Sequence, residues 1–295
     1  MQVKKVTKAL WVILCVGILQ VACSDTEDTF EDQPVESLYN QAMDYLEGGN
    51  YTRAAHAFVE VERQHPYSSL APKALLMAAY SYYQAKKYED ALENYNVFIQ
   101  LHPGHEHIAY AYYMVGICYY EQIPTVERDQ KTTEDALHAF EEVTRRFAAS
   151  PYGKDAKLKV DLIRDHLAGK EMDVGRYYLE RQAYLAALNR FKNVVEGFQT
   201  TSHAPEALHR IVECYLALGI LDQAQKTAAI LGYNYPGSSW YADTYELIRN
   251  TVPDALEAAP KPGNGPTGVT KPEGTIGESS SSLVSAPLIG KKAKT

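Results

Sequence analysis

Tryptophan is nearly missing from this 295-residue chain, with 2 residues, and phenylalanine is sparse, with 7. Cysteine is scarce too, and four in this length cannot form the disulfide framework of a small secreted domain. Basic charge is in deficit: 29 Lys and Arg against 37 Asp and Glu give a formal charge of −8. That excludes the basic field needed for phosphate recognition, so no nucleic-acid partner is expected. No apolar run approaches the roughly twenty residues of a membrane span. There is no Gly-x-Ser-x-Gly elbow and no phosphate-binding loop. The glycines at 263, 265 and 268 match a dinucleotide fingerprint in spacing only, since they follow no strand and open no helix. Carboxylates such as Glu89-Asp90 and Glu141-Glu142 fall on expected solvated helix faces, and no paired acid stands out. The expectation is a non-enzyme without a cofactor. With 46% hydrophobic and 22% charged residues, it has enough apolar material for a sizeable core.

The two ends stand apart from that body. Residues 1–22 carry Lys4, Lys5 and Lys8, then an apolar run from Ala9 to Leu19, then Val21-Ala22 before Cys23. A charged start, a short apolar stretch and small residues before a break describe a secretory signal. Cys23 sits where a bacterial lipoprotein signal places its acylated residue, although Gln20 holds a position where Leu is usual. An ordinary cleaved signal with an incidental cysteine is the plain alternative. A lipid on Cys23 would attach the chain to a membrane, several acyl chains being needed for a stable anchor. Ser24 suits sorting to the outer membrane, and residues 23–33 read as an acidic tether. Residues 252–295, rich in Pro, Gly, Ser and Thr, are expected to be a disordered tail.

Between the ends lies a repeat. Ala54, Ala91, Ala136, Ala187 and Ala224 are followed four residues later by Phe58, Tyr95, Phe140, Phe191 and Ala228. Three further on stand Val61, Phe98, Val143, Val194 and Leu231. Upstream runs a second set: Leu38/Ala42/Tyr45, Leu75/Ala79/Tyr82, Tyr112/Gly116/Tyr119, Glu171/Gly175/Tyr178 and Leu208/Val212/Tyr215. Spacing of i, i+4, i+7 puts each set on one helical face. The small residue on each helix allows close approach, and aromatics fill the space between pairs. These are the marks of tetratricopeptide repeats, helix–turn–helix units that bury their apolar faces only by stacking. The fold expected is all-α, an α-α superhelix of five repeats over 34–251 with a C-terminal capping helix at Ser238–Asn250. Gly48-Gly49-Asn50 marks a turn within the first pair, and His65-Pro66, His102-Pro103 and Tyr235-Pro236 close three units. The period is 37 except between Gly116 and Gly175, which are 59 apart. Extra residues lie in a turn around Gln122–Thr133 and in a helical stretch, Lys154–Leu167, that either runs on to Arg181 or breaks at Gly169.

Tyrosine is the one excess, at 23 residues. On each first helix, the side opposite the packing face is expected to point into the superhelical groove. That register holds Tyr39, Tyr80, Tyr83, Tyr110 and Tyr113 in the first three repeats, which predicts an aromatic peptide-binding groove. Repeats four and five give a mixed polar groove with Met172, Arg176, His209 and Glu213. His102, His105 and His107 with Glu106 form the one metal-like cluster. They fall at an inter-repeat turn without a fourth ligand nearby, and no metal is expected. Cys118 and Cys214 share a register two repeats apart and are expected to be buried free thiols.

The chain resembles the BamD family, the tetratricopeptide lipoproteins of the outer-membrane β-barrel assembly machinery, over roughly residues 34–250. The resemblance is strongest in Phe98-Ile99-Gln100-Leu101-His102-Pro103, Tyr113-Met114-x-Gly116, Arg128-Asp129-Gln130, Tyr177-Tyr178 and Asn189-Arg190. It implies a non-catalytic scaffold, lipid-anchored in the outer membrane and facing the periplasm. Its implied partners are a BamA-like β-barrel protein, other assembly lipoproteins and unfolded outer-membrane proteins. Arg190, preceded by Asn189, matches the family's arginine on the side facing BamA, and Arg176 in the same repeat is grouped with them. Other envelope repeat lipoproteins, which support pilus assembly or peptidoglycan synthesis, are the alternative.

Overall fold

Eleven α-helices and no strand make up residues 32–251, the part of the chain described by a computed structural model. The expected signal peptide, Cys23, most of the tether and the tail lie outside the described residues. In chain order the helices are α1 (Val35–Glu47), α2 (Tyr51–Gln64), α3 (Ala71–Gln84), α4 (Tyr88–Leu101), α5 (Ile108–Tyr120) and α6 (Lys131–Arg146). They continue with α7 (Pro151–Glu180), α8 (Tyr184–Gly197), α9 (Ala204–Ala217), α10 (Leu221–Asn234) and α11 (Ser239–Thr251). Five antiparallel pairs, α1/α2 to α9/α10, stack in sequence under the cap α11, which is the five-repeat superhelix read from the spacing.

Turn chemistry repeats with the helices. The residue that reverses the chain inside each pair is left-handed at Gly49 (φ 74), Lys86 (φ 58), Gln182 (φ 58) and Gly219 (φ 72), all at one register. Glycine takes this conformation freely, whereas Lys86 and Gln182 adopt it at a cost of about 1 kcal/mol each. The third pair lacks this turn and carries the insert instead.

The core is built from size-matched positions. The five second-helix alanines are buried, all but Ala228 of the residues four further on are fully so, and the small residues of the first helices face them. Gly116 is required rather than merely tolerated, since a Cβ there would lie 2.7 Å from Phe140 Cε1, and Gly175 is pressed by Phe191 in the same way. Repeat five inverts the sizes, with Val212 on the first helix and Ala228 on the second.

Helix α7 is one unbroken rod of thirty residues. Ser150 caps it, its Oγ accepting from the Gly153 N–H at 3.0 Å, and Pro151 occupies the first turn where a missing N–H costs nothing. Gly169 does not break it. Ala156, Val160, Ile163 and Leu167 belong to the core of repeat three, with Phe140 and Val143. Ala168 and Met172 belong to the core of repeats four and five, with Phe191 and Ile211. One helix thus serves two stacks, which together with the longer connection between α5 and α6 accounts for the 59-residue spacing.

Candidate functional site

The aromatic groove is the expectation the structure corrects. Tyr39, Tyr110 and Tyr113 are fully buried, Tyr80 nearly so, and Tyr83 half-buried against Tyr88. The reason is that first helices of successive repeats close on one another across the concave side. Lys73 of α3 lies over the Tyr39 ring, Tyr110 packs edge-on against Tyr152, and the Tyr113 hydroxyl donates to Asp155 at 2.6 Å. Burial pushes the Tyr39 phenol up to about 12. These rings are core, and an extended peptide has no access to them in this conformation.

Repeats four and five keep polar groups on the concave side, but those groups are already paired. Arg176 donates from Nε and Nη2 to the two carboxylate oxygens of Glu206, at 3.0 and 2.8 Å, and from Nη1 to Asp173 at 2.7 Å. Its fork is fully used inside the chain. Burial opposes ionisation of Glu206, yet Arg176 and Arg210 together outweigh it and hold the carboxyl below its usual range. Farther along, Arg210 donates to Glu213 at 2.8 Å, and His209 bonds Thr244 of the cap at 2.7 Å.

Arg190 presents a different situation on the opposite side of α7. Asn189 is exposed on α8, and the Arg190 side chain is 41% exposed. Among the described residues only its Nη1 is engaged, donating to Glu171 at 3.1 Å. Asn193 donates to the same carboxylate at 2.8 Å. Glu171 is a site residue that motif reading missed. Its signal was present, because it holds a register that is apolar in the other four repeats.

The insert of repeat three folds toward this point. Gln130 is buried and staples the loop, donating to the carbonyls of Thr125 at 2.9 Å and Arg128 at 3.0 Å while accepting from Thr133 at 2.8 Å. Between the insert and α7 lies an open recess of about 480 Å³, lined by Glu127, Arg128 and Lys131 on one side and Lys170 and Glu171 on the other. The structure therefore links Arg190 and Asn193 to the Arg128-Asp129-Gln130 motif through Glu171, with Asn189 exposed beside Arg190, and it leaves Arg176 elsewhere.

The remaining candidates are structural. His102 and His105 pack on Phe98, and burial lowers both imidazole pKa values. Among the described residues no three metal-ligating side chains converge. Cys118 and Cys214 are free and buried, and burial pushes the Cys214 thiol up to about 11. No helix among the described residues is long and apolar enough to cross a membrane.

The described residues thus form a tetratricopeptide-repeat solenoid with paired charges, buried thiols and an open polar recess. Comparison with known proteins gives its family. The model of a family described as outer membrane lipoprotein, YfiO, matches residues 31–231. The chain is 48% identical over 221 residues to outer membrane protein assembly factor BamD of Caulobacter vibrioides, covering 75% of this chain and 72% of that one. It is 43% identical to outer membrane protein assembly factor BamD of Rickettsia prowazekii, covering 83% and 98% respectively. Among solved structures, a tetratricopeptide protein of Thermus thermophilus matches at 19% identity with a TM-score of 0.34, over 74% of this chain and 98% of that one. The chain belongs to the BamD family.

Proposed function

We propose that this chain is a non-catalytic scaffold of the outer-membrane β-barrel assembly machinery, anchored by a lipid on Cys23 and facing the periplasm. The observation that carries this reading is identity of 48% and 43% to two assembly factors, extending over most of the chain. The partners are a BamA-like β-barrel protein, other assembly lipoproteins and unfolded outer-membrane proteins as cargo. Docking on the barrel protein runs through repeat four, with Asn189 and Arg190 at its centre. A half-exposed guanidinium whose Nε and Nη2 are unused among the described residues offers a carboxylate two donors in fork geometry. Arg176 contributes by holding repeats four and five in register rather than by contact.

The test is affinity recovery from detergent-solubilised membranes with wild type and Arg190→Glu. Recovery of a large outer-membrane β-barrel protein, lost or cut at least tenfold on charge reversal, is expected from the size of buried charge-pair losses. Recovery by both chains would remove Arg190 from the interface. Recovery of pilus or peptidoglycan proteins in place of a barrel protein would overturn the assignment.

A further inference from the structure

One register separates repeat four from its neighbours. The residue before the conserved-register tyrosine of each first helix is Asp44, Ser81, Cys118, Tyr177 and Cys214. Ser81, Cys118 and Cys214 are fully buried. What covers this position is the second helix of the preceding repeat: Cys118 shares a core with Ala91, Tyr95 and Phe98 of α4, and Cys214 shares one with Ala187, Phe191 and Val194 of α8. Repeat one has no preceding helix pair among the described residues, and there the position is an exposed, charged Asp44. Repeat four has a predecessor in sequence, yet Tyr177 is 51% exposed.

The cause is the length of α7. Repeat three packs on its first half, through Glu141 to Arg164 at 2.7 Å and the Phe140–Ile163 core, and α6 comes up to the second half only at its Lys131–Glu134 end, across the recess from Lys170 and Glu171. Repeat four therefore begins a new stack whose leading face is open at Tyr177 and Arg181, while Lys170 and Val174 are partly covered. That face carries a stripe at i, i+4, i+7, i+11: Lys170, Val174, Tyr177 and Arg181. The Arg181 guanidinium stacks on the Tyr177 ring at 3.8 Å and has no ion pair among the described residues. Lys170 connects the stripe to the recess, and Glu171 connects the recess to Arg190.

We infer that this face is the seat of an amphipathic α-helix from a partner protein, lying where the second helix of a preceding repeat lies on the other first helices. The repeat's own packing specifies the shape of the occupant, because the same register in repeats two, three and five is covered by a helix. Charge specifies its chemistry. Arg181 and the unused edge of Arg190 call for carboxylates, and Val174 with the Tyr177 ring calls for apolar side chains between them. In repeat one the register holds an exposed carboxylate. At this internal step it holds the aromatic residue type that most often anchors interfaces. The inference deepens the docking reading above and rests on it.

A photo-crosslinking amino acid at position 177, 181 or 189 of the full-length chain in intact envelopes tests it, with position 158 as control. Leu158 is 63% exposed on the first half of the same helix. Expected are crosslinks from 177 and 181 into one helical segment of the barrel protein, none from 158, and recovery of that protein reduced roughly tenfold by Tyr177→Ala but retained by Tyr177→Phe. Capture of the barrel protein from 189 alone would overturn the helix seat and leave the docking reading intact. A crosslink from 177 into a strand or loop, into a second copy, or into this chain's own tail would overturn it as well. Capture of no barrel protein from any position would overturn both.

Discussion

At the scale of single residues, packing is decided by pairs whose volumes are complementary across each helix–turn–helix unit. Gly116 meets Phe140 and Gly175 meets Phe191, whereas Val212 stands in the register opposite Ala228. Inserting a side chain at a position this tight costs typically 1–3 kcal/mol, and deleting a buried phenyl ring about 3–5 kcal/mol. Gly116→Val and Phe140→Ala should each destabilise by about these amounts. Combined, they recreate the repeat-five arrangement, and the double variant should be more stable than the sum of the singles by 1 kcal/mol or more. Denaturant unfolding of the four chains closes the cycle, and strict additivity would remove the complementarity argument. This part of the core was legible in the sequence, since alanines, glycines and aromatics recur at fixed registers. The tyrosines were not. Tyr39 and Tyr113 have the type and register of groove residues, and only the approach of α3 and α7 makes them core.

At the scale of helices, boundaries followed from local signals and the long helix did not. Asn50, Pro72, Pro151 and Pro205 stand where helices begin, and the cap α11 starts at Ser239, one residue from its expected place. Gly169 was ambiguous because its helix-weakening effect is local, whereas the support for α7 comes from two cores on either side of it. A Cβ at Gly169 would meet only the His203 ring, at 3.5 Å. Gly169→Ala should therefore raise stability by about 1 kcal/mol, the glycine penalty in a helix interior. Gly169→Pro should cost about 3 kcal/mol or more, by removing a helix hydrogen bond and clashing with Asp165 one turn earlier. Thermal unfolding of both variants checks this. A neutral proline would mean that α7 acts as two helices. The exposed face of repeat four was equally hidden, since Tyr177 looks like one more aromatic until its register is compared with Ser81, Cys118 and Cys214.

At the scale of the whole molecule, charge on the concave side of the last two repeats is organised to hold helices rather than ligands. The Glu206 carboxyl is held below its ordinary value, so its contribution to stability is present above the usual carboxylate range and lost as pH falls through the lowered value. Arg176→Gln should lower the unfolding temperature at pH 7, and the deficit should shrink as pH approaches about 3. Parallel curves for the two chains would mean that the pairing with Glu206 contributes nothing. The same rod that divides the cores also displaces them. Repeat three engages α7 near Ile163 and repeat four near Gly175, which at 1.5 Å per residue is a lateral jog of about 18 Å. A partner that contacts both halves has to span that offset, the length of about five residues of extended chain. The molecule thus presents two offset halves rather than one continuous surface. Such a layout favours partners that present two separate segments on a linker, with affinity arising from their joint occupancy.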